Sequence, residues 1–398
     1  MISIRLREGL EIKMILSLMD TIKLNVITTC RRLLHDDIIT LTSDTNSDKN
    51  VLLSYKTLPF RVEQKSPGFF SHTNMWECQQ IAKTWLKHGY NVDIIDWDNT
   101  SFLPKKEYSI FIDIHSNMER LAPVLGRDCK KILHITGAHW QFQNNAEMER
   151  LSHLKSRKGV QLKPRRQVSP NLGIEYADCA TILGNEFTQR TFAYSGKPLY
   201  PIPLSTTVQF PYHEKDFNKI RKNYLWFGSS GMVHKGLDIV LEAFDELKDY
   251  NLIVCGPINQ ETDFEELYFR ELYQSKNIRT FGFVDVRSDR FLDIIKTTNA
   301  LIYPSCSEGG GGSVITCLHA GLIPIISYEA SVNVADFGII LSKNNTDEIV
   351  ESIKILSQKP KNELQKMSRS AWLYARTHHT QEKFAERYNA FVNDIQLK

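Results

Sequence analysis

Two loops in the second half of the chain carry residues that could bind an anion. In the first, residues 227–236, an apolar stretch runs into glycine and serine and then Lys235. The start of a helix presents free N–H groups and partial positive charge, and Lys235 adds a full positive charge where a phosphate could lie. The P-loop ending Gly-Lys-Ser/Thr is absent. Two interpretations stay open: a phosphate site, or a solvated lysine beside a tight turn.

The second loop, residues 303–321, contains four consecutive glycines preceded by Glu308. Such a run is costly to order unless the backbone approaches a ligand closely or adopts positive φ. Ser313 is predicted to cap a helix over 314–320. A carboxylate can accept hydroxyl protons and a helix N-terminus can accept phosphate, which together suit a nucleotide sugar. A flexible linker is disfavoured, because the run lies between an apolar strand and an apolar helix.

The secondary-structure elements that position these loops are predicted to alternate between strands and helices. From residue 51 onward, short apolar strands alternate with helical stretches, which indicates βαβ units and mostly parallel sheets. The pattern changes near the two prolines Pro201 and Pro203. We therefore predict two doubly wound domains in tandem, each with its ligand edge at the carboxyl ends of the strands. The predicted boundaries are an N-terminal extension (1–50), a first domain (51–205), a linker (206–218), a second domain (219–375) and a C-terminal helix (376–398).

Composition agrees with a two-domain globular protein. A chain of 398 residues is too long for one core. The 49 Lys and Arg against 46 Asp and Glu give a net charge of +3, too little to argue for nucleic acid. Seven scattered cysteines without a Cys-x-x-Cys pair indicate reduced thiols in the cytoplasm rather than disulfides or a zinc site. No apolar run is long enough for a membrane span. An interfacial helix near residues 12–18 is disfavoured, because its apolar residues share no clean face.

The two loops together resemble the donor-site signature of the retaining GT-B glycosyltransferases, the "group 1" family. The resemblance rests on Gly228, Lys235 and Asp238 in the first block, and on Glu308 and the Ala-Gly-x-x-Pro-Ile run ending at 325 in the second. It covers roughly residues 220–375. It implies two Rossmann-like domains facing each other across a cleft, the second binding a nucleotide sugar and the first most of the acceptor. It also implies transfer without metal or cofactor, and a last helix that crosses back to the first domain.

The resemblance further implies roles for individual residues. Lys235 would neutralise the departing diphosphate, and Glu308 would bind hydroxyls of the donor sugar. The implied donor-binding residues are Gly228, Ser229, Ser230, Lys235, Glu308, Gly309, Gly310, Gly311, Gly312, Ser313 and Thr316. Two positions depart from the family. Thr316 stands where a second glutamate usually contacts the ribose, and Ser229 where an arginine is usual, so the second phosphate charge must come from elsewhere; His234 is a weak substitute.

The first half offers further candidates. His139 follows a strand, and the resemblance implies a place near the reacting carbon; packing beside Trp140 is an equal alternative. His115 and His72 have less weight. Residues 149–166 hold seven Lys or Arg against one acid. That segment is either a solvated loop or a patch, at 150–166, for an acidic glycan, a lipid phosphate or the inner membrane face.

The resulting hypothesis is a glycosyltransferase of polysaccharide biosynthesis, cytoplasmic or peripheral at the inner membrane face. It would move a sugar from a nucleotide-diphosphate sugar to a glycan or lipid-linked acceptor, with retention. The alternatives are a sugar-nucleotide-binding scaffold that has lost catalysis, or a sugar-nucleotide epimerase of the same fold. Because a loop lysine supports little core, Lys235→Ala is expected to weaken turnover more than folding.

Overall fold

The computed structural model describes residues 38–45, 47–63 and 72–397, which form two domains around two separate sheets. The predicted α/β class and tandem arrangement are confirmed. Most of the predicted N-terminal extension, including residues 12–18, lies outside the described residues.

The N-terminal domain is built on seven strands. They are β1 (Ile39–Leu41), β2 (Asn50–Tyr55), β3 (Asn91–Asp96), β4 (Ile110–Asp113), β5 (Lys130–Ile135), β6 (Cys179–Ile182) and β7 (Leu199–Pro201). The helices between them are α1 (Thr73–Lys87), α2 (Asn117–Leu121), α3 (Trp140–Lys158), α4 (Gly173–Tyr176) and α5 (Glu186–Thr191). The spatial order is β1-β3-β2-β4-β5-β6-β7, parallel except for β1. Since β1 pairs with β3, the domain begins before residue 51, where the sequence had suggested a separate extension.

The C-terminal domain is built on six parallel strands. They are β8 (Asn223–Phe227), β9 (Asn251–Cys255), β10 (Ile278–Gly282), β11 (Ala300–Tyr303), β12 (Ile323–Ser327) and β13 (Ile339–Leu341). Its helices are α6 (Phe217–Ile220), α7 (Leu237–Glu246), α8 (Thr262–Leu267), α9 (Phe269–Tyr273), α10 (Asp289–Lys296), α11 (Gly312–His319), α12 (Thr346–Gln358), α13 (Lys361–His378) and α14 (Gln381–Gln396). The order β10-β9-β8-β11-β12-β13 is that of a doubly wound dinucleotide-binding sheet.

Helices bury one face and strands bury both, which is why the strands are nearly all apolar. In α7, the four residues Leu237, Val240, Leu241 and Phe244 are fully buried on one side. The helix begins two residues after Lys235, so this lysine lies in a turn. Its amide donates to the Gly231 carbonyl at 2.8 Å.

Within the described ranges the chain crosses between the domains twice, and hydrogen bonds fix both crossings. In the first, residues 202–216, the Ser205 amide and hydroxyl donate to buried Glu77 of α1, while Lys215 Nζ donates to the Thr298 carbonyl of the other domain. At the second, α14 returns to the first domain, where Tyr388 accepts a hydrogen bond from Trp85. Each crossing is thus fastened to α1 of the N-terminal domain, the first through Glu77 and the second through Trp85.

Glu77 provides a test of this joint through pH. Burial raises the pKa of its carboxyl to about 7, although Ser205 hydrogen bonds oppose the rise. The folded protein therefore binds more protons than the unfolded chain between pH 4.5 and 7, and stability is lost as the pH rises through that window. We expect Glu77→Gln to become more stable than the parent above pH 7, by up to about 3 kcal/mol.

Urea unfolding at pH 4.5, 6 and 8 measures this difference. Glu149→Gln, on the exposed side of α3, is the matched control and should follow the parent at every pH. A Glu77→Gln variant whose pH dependence equals that of the parent would contradict the assignment.

Candidate functional site

Two neighbouring strands bring the two predicted loops together. β8 and β11 lie side by side at the point where the strand order reverses, and the loops that follow them diverge from there. This is where doubly wound sheets place ligands. In the space between the loops, Lys235 Nζ lies 2.6 Å from Glu308 Oε1.

Glu308 Oε1 is the centre of a small buried network. Besides Lys235, it accepts hydrogen bonds from the Tyr303 hydroxyl at 2.7 Å and the Ser305 hydroxyl at 2.9 Å. Lys235 Nζ also donates to Tyr303 at 2.9 Å. The side chains of Lys235 and Glu308 are only 4% and 14% exposed. Burial alone would raise the pKa of Glu308, but the charge and hydrogen bond of Lys235, together with the charge of Arg166, bring it down to about 2, so the carboxylate stays ionised.

This network corrects one sequence expectation. Lys235 is a buried ion-pair partner and not a solvated loop lysine, so its removal leaves Glu308 charged and poorly solvated. The expected ranking, in which Lys235→Ala harms turnover more than folding, therefore loses its physical reason. Tyr303 and Ser305 were missed as site residues, although both belong to the second loop, residues 303–321.

The loop after β8 is already filled by a carboxylate of the protein itself. Gly231 N and Met232 N donate to Glu261 at 2.5 and 3.1 Å. These N–H groups belong to the loop that the sequence had suggested as a phosphate site. Ser229 is exposed and Ser230 is half-buried, whereas Gly228 is packed so tightly that a Cβ there would come within 2.7 Å of Trp226.

His234 does not supply the missing positive charge. Burial lowers the pKa of its imidazole to about 4, which leaves the ring neutral near pH 7. Its Nε2 lies 2.7 Å from the Ser307 carbonyl oxygen, which can only accept, so the proton is on Nε2. His234 therefore fixes the second loop and offers no cation.

The glycine run is needed chiefly where the two domains meet. A Cβ on Gly309 would lie 2.2 Å from the Thr136 carbonyl oxygen of the N-terminal domain. Gly310 and Gly311 have φ of +119° and +46°, which side chains rarely adopt. Gly311 is the N-cap of α11, so the helix begins at Gly312 and not after a Ser313 cap, as the sequence had suggested.

Two other predicted residues make contacts of their own. The Thr316 hydroxyl donates to the Gly312 carbonyl at 2.9 Å within α11. His139 is the N-cap residue of α3, and its ring packs against Phe192 and Tyr194, with Nε2 3.2 Å from the Tyr194 hydroxyl. These contacts hold His139 in the N-terminal domain and do not include Lys235 or Glu308, so a catalytic role stays a prediction.

The basic segment 149–166 lies between the domains. Arg157 pairs with Asp238 and Glu242, and Arg165 pairs with Asp263. Arg150 donates to the Pro304 carbonyl at 3.0 Å, within the second loop. Several arginines of this segment are thus paired with groups of the C-terminal domain. The charge of the segment therefore gives no support by itself to a membrane-binding patch at 150–166.

The ion pair can be tested by stability. Because a buried charge without its partner is costly, Lys235→Met should lower the free energy of unfolding by about 3 kcal/mol. The double variant Lys235→Met/Glu308→Gln should recover most of that loss. Chemical denaturation of both single variants and the double variant measures the coupling; losses that simply add would show that the pair is not coupled.

The domain contact can be tested at Gly309. A methyl group there meets backbone of the other domain, so Gly309→Ala should cost about 2 kcal/mol or more of unfolding free energy. Gly312→Ala is the matched control, because its Cβ meets nothing closer than Leu204 at 3.9 Å. Thermal and urea denaturation compare the two, and equal stability of both variants would contradict the close approach.

Residues 212–372 match the family described as Glycosyl transferases group 1. A search of curated proteins found no match. Among solved structures, sucrose-phosphate synthase from Thermosynechococcus elongatus is similar, with TM-score 0.60 and 12% identity over 88% of this chain and 100% of that one. A glycosyltransferase from Rickettsia africae has TM-score 0.57 and 13% identity over 88% and 99%. Anabaena HepE in complex with UDP-glucose has TM-score 0.54 and 12% identity over 87% and 99%.

At these identities the solved structures establish the fold alone. Within the described ranges, no helix is both long and apolar enough to span a membrane, and no group of three His, Cys, Asp or Glu side chains is arranged to hold a metal ion. The sheet orders, the paired loops and the family match lead to one classification. The chain has the GT-B fold, and residues 212–372, most of its C-terminal domain, match the group 1 glycosyl transferase family.

Proposed function

We propose that the protein is a glycosyltransferase that moves a sugar from a nucleotide-diphosphate sugar to a glycan or lipid-linked acceptor, with retention and without a metal. The observation that carries the proposal is the Lys235–Glu308 pair, held at the switch point of the C-terminal sheet and facing the other domain. The family match of residues 212–372 supports the same reaction class.

The pair suits two tasks in such a transfer. As the bond to the sugar breaks, negative charge develops on the diphosphate, and Lys235 can stabilise it from a site that water scarcely reaches. The three hydrogen bonds that described residues donate to the Glu308 carboxylate all end on Oε1. Oε2 can therefore accept a hydroxyl of the donor sugar, and with a pKa of about 2 the carboxylate acts as an acceptor and not as an acid.

The test is a panel of UDP-, GDP- and ADP-sugars, with release of nucleoside diphosphate measured with and without candidate glycan and lipid acceptors. We expect one donor to be used, faster with an acceptor and equally well in EDTA. Glu308→Gln should lower kcat/KM by roughly ten- to a hundredfold, because one charge-assisted hydrogen bond is lost. Glu149→Gln, on the solvent side of α3, should retain the parent rate.

A second candidate is a binding protein that has lost catalysis. It is favoured by Glu261, which occupies the amides of Gly231 and Met232, and by the engagement of the Thr316 hydroxyl within its own helix. Binding of a nucleotide without turnover of any donor would support it. An altered sugar nucleotide formed without acceptor would instead indicate an epimerase.

A further inference from the structure

Arg166 differs from the other arginines of the basic segment. Arg150, Arg157 and Arg165 each donate to an oxygen of the C-terminal domain. Arg166 Nε is buried, and no residue that the structure describes accepts a hydrogen bond from it. Arg150 Nη1 also lacks an acceptor, but the guanidinium of Arg150 is held through Nη2. A buried donor without a partner costs about 1–3 kcal/mol, so its presence calls for an explanation.

The backbone of Arg166 is held firmly in place. Its amide donates to Glu147 Oε1 at 2.8 Å, and its carbonyl accepts from Gln143 Nε2 at 2.5 Å. Both partners lie on α3, and both are buried. The position of Arg166 is therefore set by the N-terminal domain.

The side chain nevertheless reaches the loops of the C-terminal domain. Its Cγ and Cδ lie 2.6 and 3.0 Å from the point where a Cβ on Gly231 would be, so only glycine leaves room for it there. Its charge also acts on the ion-pair network. Burial raises the pKa of Tyr303 and Glu308, and the positive charge of Arg166 opposes that rise in both. Arg166 thus lies beside the candidate site, while its side chain makes no hydrogen bond to Lys235 or Glu308.

The charges of the site leave a need for such a cation. Lys235 and Glu308 cancel each other, and His234 is neutral near pH 7. The carboxylates of Glu147 and Glu261 are engaged with backbone N–H groups and add negative charge. A diphosphate, with at least two negative charges, would therefore meet no net positive charge from these five side chains, and a basic side chain beyond them has to supply it.

We propose that Arg166, carried by the N-terminal domain, is the second cation that binds the diphosphate of the donor, opposite Lys235 of the C-terminal domain. The inference rests on the proposed function and adds to it a residue outside the matched domain. A guanidinium suits this role, since its planar donors can bind two phosphate oxygens at once. Because the two cations come from different domains, donor binding would also favour the closed arrangement of the cleft.

Calorimetric titration with nucleotides tests the proposal. The parent protein is titrated with UDP, GDP and ADP, and then with the monophosphate of whichever binds. We expect Arg166→Gln to weaken the diphosphate roughly ten- to a hundredfold and the monophosphate much less, since a charge-assisted contact to the terminal phosphate is lost. Arg166→Lys should recover part of the loss.

Arg165→Gln is the matched control. It removes a neighbouring arginine whose partner is Asp263, at the surface, and should leave both affinities within about twofold of the parent. Equal weakening by Arg165→Gln, equal loss of monophosphate and diphosphate, or no effect of Arg166→Gln would each overturn the inference while leaving the proposed function standing. A parent protein that binds none of the three diphosphates would overturn both.

Discussion

The ion pair between Lys235 and Glu308 is the interaction around which the candidate site is organised. Removing two charges from water costs free energy, and that cost is offset only by close contact and further hydrogen bonds. Here the 2.6 Å contact is supplemented by the hydroxyls of Tyr303 and Ser305, and both loops have to follow their strands in register for these groups to meet. The site and the C-terminal sheet are therefore specified together.

The closeness of the two domains depends on small residues and on charge. Gly309 allows the second loop to touch the Thr136 carbonyl, where any side chain would be excluded. Across the same cleft, Arg157 and Arg165 pair with acids of the C-terminal domain, and Arg150 reaches the Pro304 carbonyl. The contact at Gly309 requires a residue without a side chain, whereas the arginine contacts require long side chains. Together they hold the loops at the carboxyl ends of the two sheets against each other.

In this arrangement, backbone groups that could bind an anion are already hydrogen-bonded to the protein itself. The amides after β8 are satisfied by Glu261, and the Thr316 hydroxyl by its own helix. The proposed donor site therefore consists of side chains: Lys235 and Glu308 from one domain, and Arg166 from the other. Recognition by side chains from two domains is sensitive to their separation, whereas recognition by one loop is not. In the proposed arrangement, donor binding would thus depend on how closely the two domains approach each other.

The sequence by itself determined the α/β class, the tandem domains, most of the strands and the pairing of the two loops, because buried parallel strands are apolar runs and chemistry follows their carboxyl ends. It pointed to Lys235 and Glu308, because each lies in a loop that follows an apolar strand and the carboxyl ends of parallel strands share one edge of the sheet. Only the tertiary structure decided that Lys235 is buried, that Glu261 fills the first loop, and that Arg166 approaches from the other domain. Such contacts join residues tens of positions apart, and local patterns carry no record of which distant side chains the fold brings together.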